Sequence, residues 1–331
     1  MKVFLTGTSG LLGNNTAREL LKRGYHVKAL FRHESEALLL NRHDNFVPFF
    51  GDITDAARMI EGVRGCDAVI HTAADTDLWP ARSPVYIRTN VEGTRNVMQA
   101  AMQAKVKRGI FVSTANALGF GTIEKPGTEE TPPSFSQYGI GYMETKYQAQ
   151  QIVLKEAREN AYPFLVVNPT FMIGPRDFRP SSGRMVLAVA QGKVPGYPKG
   201  GKNYVYVGDA ATAIANALEI GRPGHCYILG NENLSYQQMF TKVAEIVGVK
   251  PPRLSIPPLA TKAFGMLGTI TGSIFNVTPK VSYKMARVSC DGHYFSAQKA
   301  VTELNMPQTP IETAIKECYE WCKANGYLNK K

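Results

Sequence analysis

The chain predicts an α/β fold, a doubly wound parallel sheet with a smaller C-terminal α/β domain. Three observations carry that prediction. Short β-rich runs alternate with helical segments of ten or more residues. A glycine triplet sits where the first run turns into the first helix. The 331-residue length allows one large domain or two smaller ones. In order, residues 3–6 form the first strand and 12–23 a helix closed by Gly24. Strands follow at 26–31 and 45–50, a short helix at 56–63, and a strand at 68–71. A long helix over 85–104 leads to a strand at 110–113, a helix around 143–158 and a strand at 164–168. After Pro175 the rhythm loosens and Pro and Gly punctuate it. A strand-plus-helix unit returns at 204–218 with a strand at 226–229, and helices joined by Lys250-Pro-Pro-Arg253 are expected from about 231 on. No internal repeat or low-complexity linker interrupts this order.

With 44% hydrophobic and 20% charged residues, the composition excludes a disordered, collagen-like or coiled-coil chain. The unusual number is a net charge of +11, which permits polyanionic partners. Its basic clusters, Lys105-Val-Lys-Arg108 and Lys330-Lys331, are not interleaved with aromatics, so no nucleic-acid partner is expected. The five cysteines include no C-x-x-C. Cys318 and Cys322 lie four apart on an expected helix with no third ligand nearby, so no metal is expected. Met1-Lys2 runs straight into a strand without an apolar leader, which points to a reduced, cytoplasmic protein. Residues 259–278 carry a single charge, Lys262. Three glycines and several hydroxylated or amide residues dilute their hydrophobicity, so a helix over a pocket or a surface touching membrane is expected before a spanning helix.

The loop Thr6-Gly-Thr-Ser-Gly-Leu-Leu-Gly13 has glycines at Gly7, Gly10 and Gly13. The first allows a tight turn, the second a close approach of backbone to a pyrophosphate, and the third close helix–strand packing. The helix start then offers unpaired N–H donors from Thr8, Ser9, Leu11 and Leu12 onward. The G-x-x-G-x-x-G spacing differs from the commoner G-x-G-x-x-G. The end of the second strand, where an acid would bind the ribose of NAD, carries Arg32 instead. A guanidinium there suits the 2′-phosphate of NADP, though Glu34 stands close. Tyr142 and Lys146 share one helix face at i, i+4, where an ammonium can stabilise a phenolate. That pair follows Val112-Ser-Thr114 by 28 residues.

These stretches resemble the extended short-chain dehydrogenase/reductase superfamily over essentially the whole chain. Within it the sequence is most similar to the dihydroflavonol-reductase-like branch, including bacterial members called hopanoid-associated sugar epimerases. Further matching stretches are Gly51-Asp-Ile-Thr-Asp55, Asp67-Ala-Val-Ile-His-Thr-Ala-Ala74, Asn90-Val-Glu-Gly-Thr94 and Asn168-Pro-Thr-Phe-Met-Ile-Gly-Pro175. Tyr204-Val-Tyr-Val-Gly-Asp209 and Tyr227-Ile-Leu-Gly-Asn-Glu-Asn233 match late family segments. The resemblance implies a Rossmann domain at 1–173, rejoined by about 204–230, and a substrate domain from 174–203 and 231–331. It implies Tyr142 as acid/base, with Lys146 on the nicotinamide ribose lowering the tyrosine pKa. Thr114 stands where the family usually has Ser, and its methyl narrows the site. Asp52 and Ile53 would meet adenine, Thr72, Ala73 and Ala74 would line the path to the nicotinamide, and Pro169 and Phe171 would hold the carboxamide.

Other polar residues have structural readings: Asp209 as a helix N-cap, His71 as packing beside the cofactor, Asn90 as a structural or water-holding group, and Asp75 and Asp77 as a solvated loop. Trp79, Asn116, Phe120, Tyr138, Phe171 and Met172 are the candidate pocket, apolar enough for a ketone, aldehyde, sterol-like or aromatic substrate. The expected activity is NADP-dependent interconversion of a carbonyl and an alcohol by a monomer or homodimer. A nucleotide-sugar epimerase, a non-catalytic NADP sensor and a lipid-working reductase at a membrane are the alternatives.

Overall fold

The computed structural model describes residues 1–37, 40 and 43–328, so the Lys330-Lys331 pair lies outside the described residues. The first half runs β1 (Lys2–Thr6), α1 (Leu11–Lys22), β2 (His26–Phe31), α2 (Glu34–Ala37), β3 (Phe46–Phe50), α3 (Ala56–Val63) and β4 (Ala68–His71). Next come α4 (Pro84–Tyr86), a π-helical segment at Ile87–Glu92, and α5 (Gly93–Gln103). They lead to β5 (Arg108–Val112), α6 (Gly141–Glu159), β6 (Phe164–Pro169) and β7 (Phe171–Ile173). The second half runs α7 (Gly183–Ala190), β8 (Gly196–Pro198), β9 (Gly201–Tyr206), α8 (Val207–Ile220), β10 (Cys226–Leu229), β11 (Glu232–Ser235), α9 (Tyr236–Val247) and β12 (Leu254–Ile256). It ends with α10 (Pro258–Phe275), α11 (Tyr283–Cys290), β13 (Gly292–His293), α12 (Gln298–Glu303) and α13 (Ile311–Ala324).

Among the described residues, seven parallel strands form the large sheet in the order β10-β6-β5-β4-β1-β2-β3. Every residue of β4 and β6 is buried, as a sheet covered on both faces requires. One face packs on α1, α8 and α12 through Leu20, Ile70, Val167 and Ile214. The other packs on α3, α5 and α6 through Phe4, Val97, Phe111 and Val153. Strand order reverses between β1 and β4, whose register runs Val3↔Ala68 to Thr6↔His71. Ligands of such sheets lie at that switch point, outside the carboxyl ends of the strands.

The small sheet holds β11, β9, β13 and β7. Ile173, Tyr204 and Met239 bury its face with α7, α9 and α13. The segment expected to rejoin the large sheet at 204 therefore divides. β9 pairs with β7, β11 and β13, and only α8 and β10 return. Three short strands also lie in the tail expected to be helical. The expected helix over 85–104 is interrupted at Ile87–Glu92. Asp209 is not an N-cap. Tyr206 precedes α8, and Asp209 in the first turn accepts from the Thr309 amide (2.7 Å) and hydroxyl (2.8 Å), tying the segment before α13 to α8. In the 105–108 cluster, Lys107 lies 3.7 Å from Asp67, and Arg108 donates to the carbonyls of Leu218 and Gly221.

Candidate active site

The loop after β1 is shaped by its glycines. Gly7 has φ +73°, a region that suits glycine. A Cβ there would enter the space of the Thr72 hydroxyl, and one at Gly13 would collide with the Gly7 carbonyl. The Gly10 amide donates to the Gly7 carbonyl at 3.0 Å. Gly10 then opens α1 with no side-chain cap and no acid in the first turn. Such a helix start presents N–H donors and a positive dipole end to an anion. The residues fit a dinucleotide pyrophosphate.

The walls of this cradle are locked from behind. Thr8 donates to the Leu5 carbonyl, and Thr72 to the Thr6 carbonyl at 2.5 Å. The Ala73 amide reaches the Thr6 hydroxyl at 3.2 Å. That hydroxyl lies 2.7 Å from His71 Nδ1, while Nε2 meets Thr94 Oγ1, which itself donates to the Asn90 carbonyl. This order makes Nε2 the protonated nitrogen and Nδ1 the acceptor. Burial, reinforced by Lys146, pushes the His71 pKa down to about 3, so it stays neutral. Asn90 joins the Asp75 backbone to Thr145 of α6, a clamp within the protein. The Asp77 amide donates to Asp75 Oδ1 on the loop between them. Arg32 is exposed at the end of β2 and Glu34 opens α2. Asp52 is exposed after β3 and accepts twice from Thr54, whereas Ile53 is buried against Gly93.

Thr114 follows β5 and caps the turn at Ala115–Ala117, accepting from the Asn116 amide at 3.2 Å. Tyr142 lies in the first turn of α6, with the Thr114 hydroxyl near enough to act on its phenol. Burial raises the Tyr142 pKa and the nearby Thr114 hydroxyl offsets part of that. Lys146, 2% exposed, donates from Nζ to the Val112 carbonyl at 2.7 Å and lies 4.3 Å above the Phe111 ring. Burial lowers its pKa to about 7. The ammonium is thus turned to a carbonyl, the acceptor a buried charge requires, and what acts on the phenol is burial and Thr114. Two residues the sequence did not single out hold this pair. Asn168 donates to the Thr114 carbonyl (3.0 Å) and to Gln150 of α6 (2.7 Å), joining β6, the Thr114 turn and α6.

Beyond Thr114 a small cavity is lined by Asn116, Pro169, Phe171, Lys202, His293 and Phe295, among others. The Phe120 ring lies tilted against His293, 4.2 Å between centroids. Tyr138 stands behind it, donating to Asp291 at 2.6 Å and lying 3.2 Å from His293 Nε2. His293 Nδ1 is buried without a partner. Burial and Lys202 hold this imidazole neutral, its pKa down to about 3. Lys202 Nζ lies 5.4 Å from the Phe171 ring, and burial lowers its pKa to about 8. Four pocket expectations change, the first two because Phe120 and Tyr138 stand behind His293, outside the lining. Successive residues of a strand face opposite ways, so Phe171 lines the cavity while Met172 packs into the large-sheet core. Trp79 lies outside this lining, where a Cβ on Gly272 of α10 would come 3.2 Å from its ring. Among the described residues no cluster could hold a metal ion, and Cys318 and Cys322 are buried and free.

Residues 3–230 match the model of the NAD dependent epimerase/dehydratase family. A Synechocystis sp. protein provisionally named dihydroflavonol 4-reductase is 30% identical, over 98% of this chain and 95% of that one. Sterol demethylase protein B of Methylococcus capsulatus is 28% identical, over 99% and 100%. The crystal structure of gox2253 superposes with a TM-score of 0.84 at 34% identity, over 98% of each chain. A Pseudomonas aeruginosa protein described as a nucleoside-diphosphate-sugar epimerase shares the fold, with a TM-score of 0.82 at 24% identity over 99% of each chain. The chain belongs to the NAD-dependent epimerase/dehydratase family of extended short-chain dehydrogenases/reductases, in its dihydroflavonol-reductase-like branch.

Proposed function

We propose that this enzyme is an NADP(H)-dependent oxidoreductase interconverting a carbonyl, ketone or aldehyde, and an alcohol on a largely apolar small molecule. The observation that carries the proposal is the nearness of the Thr114 hydroxyl to the Tyr142 phenol, at the turn whose next residues, Ala115 and Asn116, line the cavity. A nicotinamide cofactor, when bound, supplies or accepts the hydride. Burial keeps the Tyr142 phenol protonated, which suits delivery of a proton to a carbonyl oxygen. Thr114, fixed by Asn168, donates a second hydrogen bond to that oxygen and polarises it. Lys146, one turn along α6, would meet the nicotinamide ribose. Phe171 and Phe295 in the lining favour an apolar substrate. Arg32, in the place of an acid, favours NADP. Relatives named as a 2-alkyl-3-oxoalkanoate reductase of Stenotrophomonas maltophilia and a ketoreductase of Stigmatella aurantiaca support carbonyl reduction.

A screen of carbonyl compounds and alcohols against both nicotinamide cofactors supplies the assay. Tyr142→Phe is expected to lower kcat by about 10²- to 10⁴-fold while NADPH binding, followed by fluorescence, stays near the wild-type value. Retained turnover would sink the assignment. A second reading, epimerisation of a nucleotide sugar, is favoured by Lys202, whose ammonium in the cavity wall suits a phosphate. A cofactor that stays with the protein through gel filtration would favour that reading.

A further inference from the structure

Helix α10 turns its small residues inward and its large ones outward. Gly265 and Gly272 are buried, and added Cβ atoms at Gly265, Gly268 and Gly272 would press on Ala286, the Val281 carbonyl and Pro279. The Tyr283 amide donates to Thr269 at 2.8 Å, fixing the helix on α11. The opposite face is apolar and open: Leu259 is 82% exposed, Phe275 70%, Ile274 69%, Leu267 63% and Phe264 61%. Contiguous apolar surface of this kind marks an interaction site. Among the described residues no helix is long and apolar enough to cross a membrane, so α10 lies on its partner rather than through it.

The charge around α10 identifies the partner. From Ile246 to Cys290 the chain has six basic residues and no acid, so more than half of the +11 net charge falls in this one segment. Arg253 and Lys280 are exposed near the two ends of α10, and Lys262 lies on it. Lys284 and Arg287 of α11 lie close enough to act on one another; Arg82 and Glu144, paired at 3.4 Å, act on Lys284 as well and offset one another. A second copy of the chain would bring the same patch against itself in a two-fold dimer, basic rim against basic rim. An anionic bilayer complements both features, acyl chains for the apolar face and headgroups for the cations.

We propose that α10 docks the protein on anionic lipid bilayers, its Leu, Ile and Phe side chains in the interface and the surrounding lysines and arginines on the headgroups. Trp79 touches the inner side of this helix, and Arg287 of α11 lies over the Tyr138 ring at 5.9 Å, so the opposite, open face of α10 is the one left for docking. The docking is independent of the catalytic proposal, and its test uses no activity.

The full-length protein is co-sedimented with vesicles of phosphatidylcholine alone and with about one third phosphatidylglycerol. Binding to the anionic vesicles is expected to be about tenfold stronger and to weaken in high salt. Leu267→Gln/Ile274→Gln/Phe275→Gln and, separately, Arg253→Glu/Lys280→Glu should each weaken it about tenfold with an unchanged unfolding midpoint. The charge pair lies wholly at the surface and carries the test by itself if the triple variant misfolds. Equal binding to both vesicle types, no binding to either, or variants that bind like the wild type would overturn the proposal. So would a dimer in sedimentation velocity that the triple variant converts to monomer.

Discussion

Arg32 is a single exposed side chain at the end of β2, yet it carries the proposed choice of nucleotide. An ion pair in water is worth little, whereas a forked guanidinium–phosphate contact at a bound cofactor is stronger. Arg32→Ala should therefore lower the ratio of NADPH to NADH affinity by about tenfold, measured by titrating each cofactor. An unchanged ratio would remove Arg32 from the site. The placement of Tyr142 and Lys146 on one helix, and of Thr114 just past a strand end, was legible in the sequence because each is a local relation. An i, i+4 pair on one helix and a strand end cannot be arranged in many ways. Lys202 and His293 were not. They meet because β9 and β13 pair in parallel with Lys202 opposite His293, a register set by tertiary packing across 91 residues of chain. The only available signal was an isolated lysine beside the Tyr204–Asp209 stretch, with nothing to mark its side chain as facing a cavity.

At the scale of elements, the junction of β1, α1 and β4 is held by backbone proximity. An added Cβ at Gly13 meets the Gly7 carbonyl, which is held by the Gly10 amide, and Thr72 Oγ1, which is held by its bond to the Thr6 carbonyl. At Gly10 the nearest atom would be 3.3 Å away, a contact that a small shift relieves. Gly13→Ala should therefore cost about 1–3 kcal/mol and weaken cofactor binding, with Gly10→Ala clearly milder in stability. Thermal unfolding of the two variants side by side checks this, and equal midpoints would contradict it. The large sheet was readable strand by strand, since buried parallel strands are short apolar runs between helices. The interruption of the 85–104 helix was not readable. The π-helical segment carries Asn90 to the Asp75 backbone and Thr145, partners known only once the chain is folded. For the same reason β9 read as a continuation of the large sheet although its partners lie in the small one.

Over the whole molecule, three buried bases, His71, His293 and Lys146, and the half-buried Lys202 make stability depend on pH in one direction. His71 and His293 are neutral when folded, with pKa values down to about 3, and each takes up a proton near 6.5 when the chain unfolds. Stability from this source is present above pH 6.5 and is lost as the pH falls, at about 1.4 kcal/mol per pH unit for each histidine. Lys146 and Lys202 act in the same sense at higher pH. Their folded pKa values, about 7 and about 8, lie below the ordinary 10.5, so from there up to 10.5 the unfolded chain binds more protons. The folded state therefore gains as the pH rises through that window. Above about 10 the tyrosines turn the slope round. Burial holds the Tyr142 and Tyr204 pKa values above their unfolded value, so the unfolded chain ionises first. Rising pH also relieves the self-repulsion of a chain that carries +11 at neutrality. The urea midpoint should thus peak on the alkaline side, between about pH 8 and 10, rather than near neutrality. Lys146→Met should flatten the climb between pH 7 and 10 and leave the acid limb in place. A stability maximum at or below pH 7, or an unchanged alkaline climb in Lys146→Met, would show that these amines are hydrated and ordinarily charged in the folded protein.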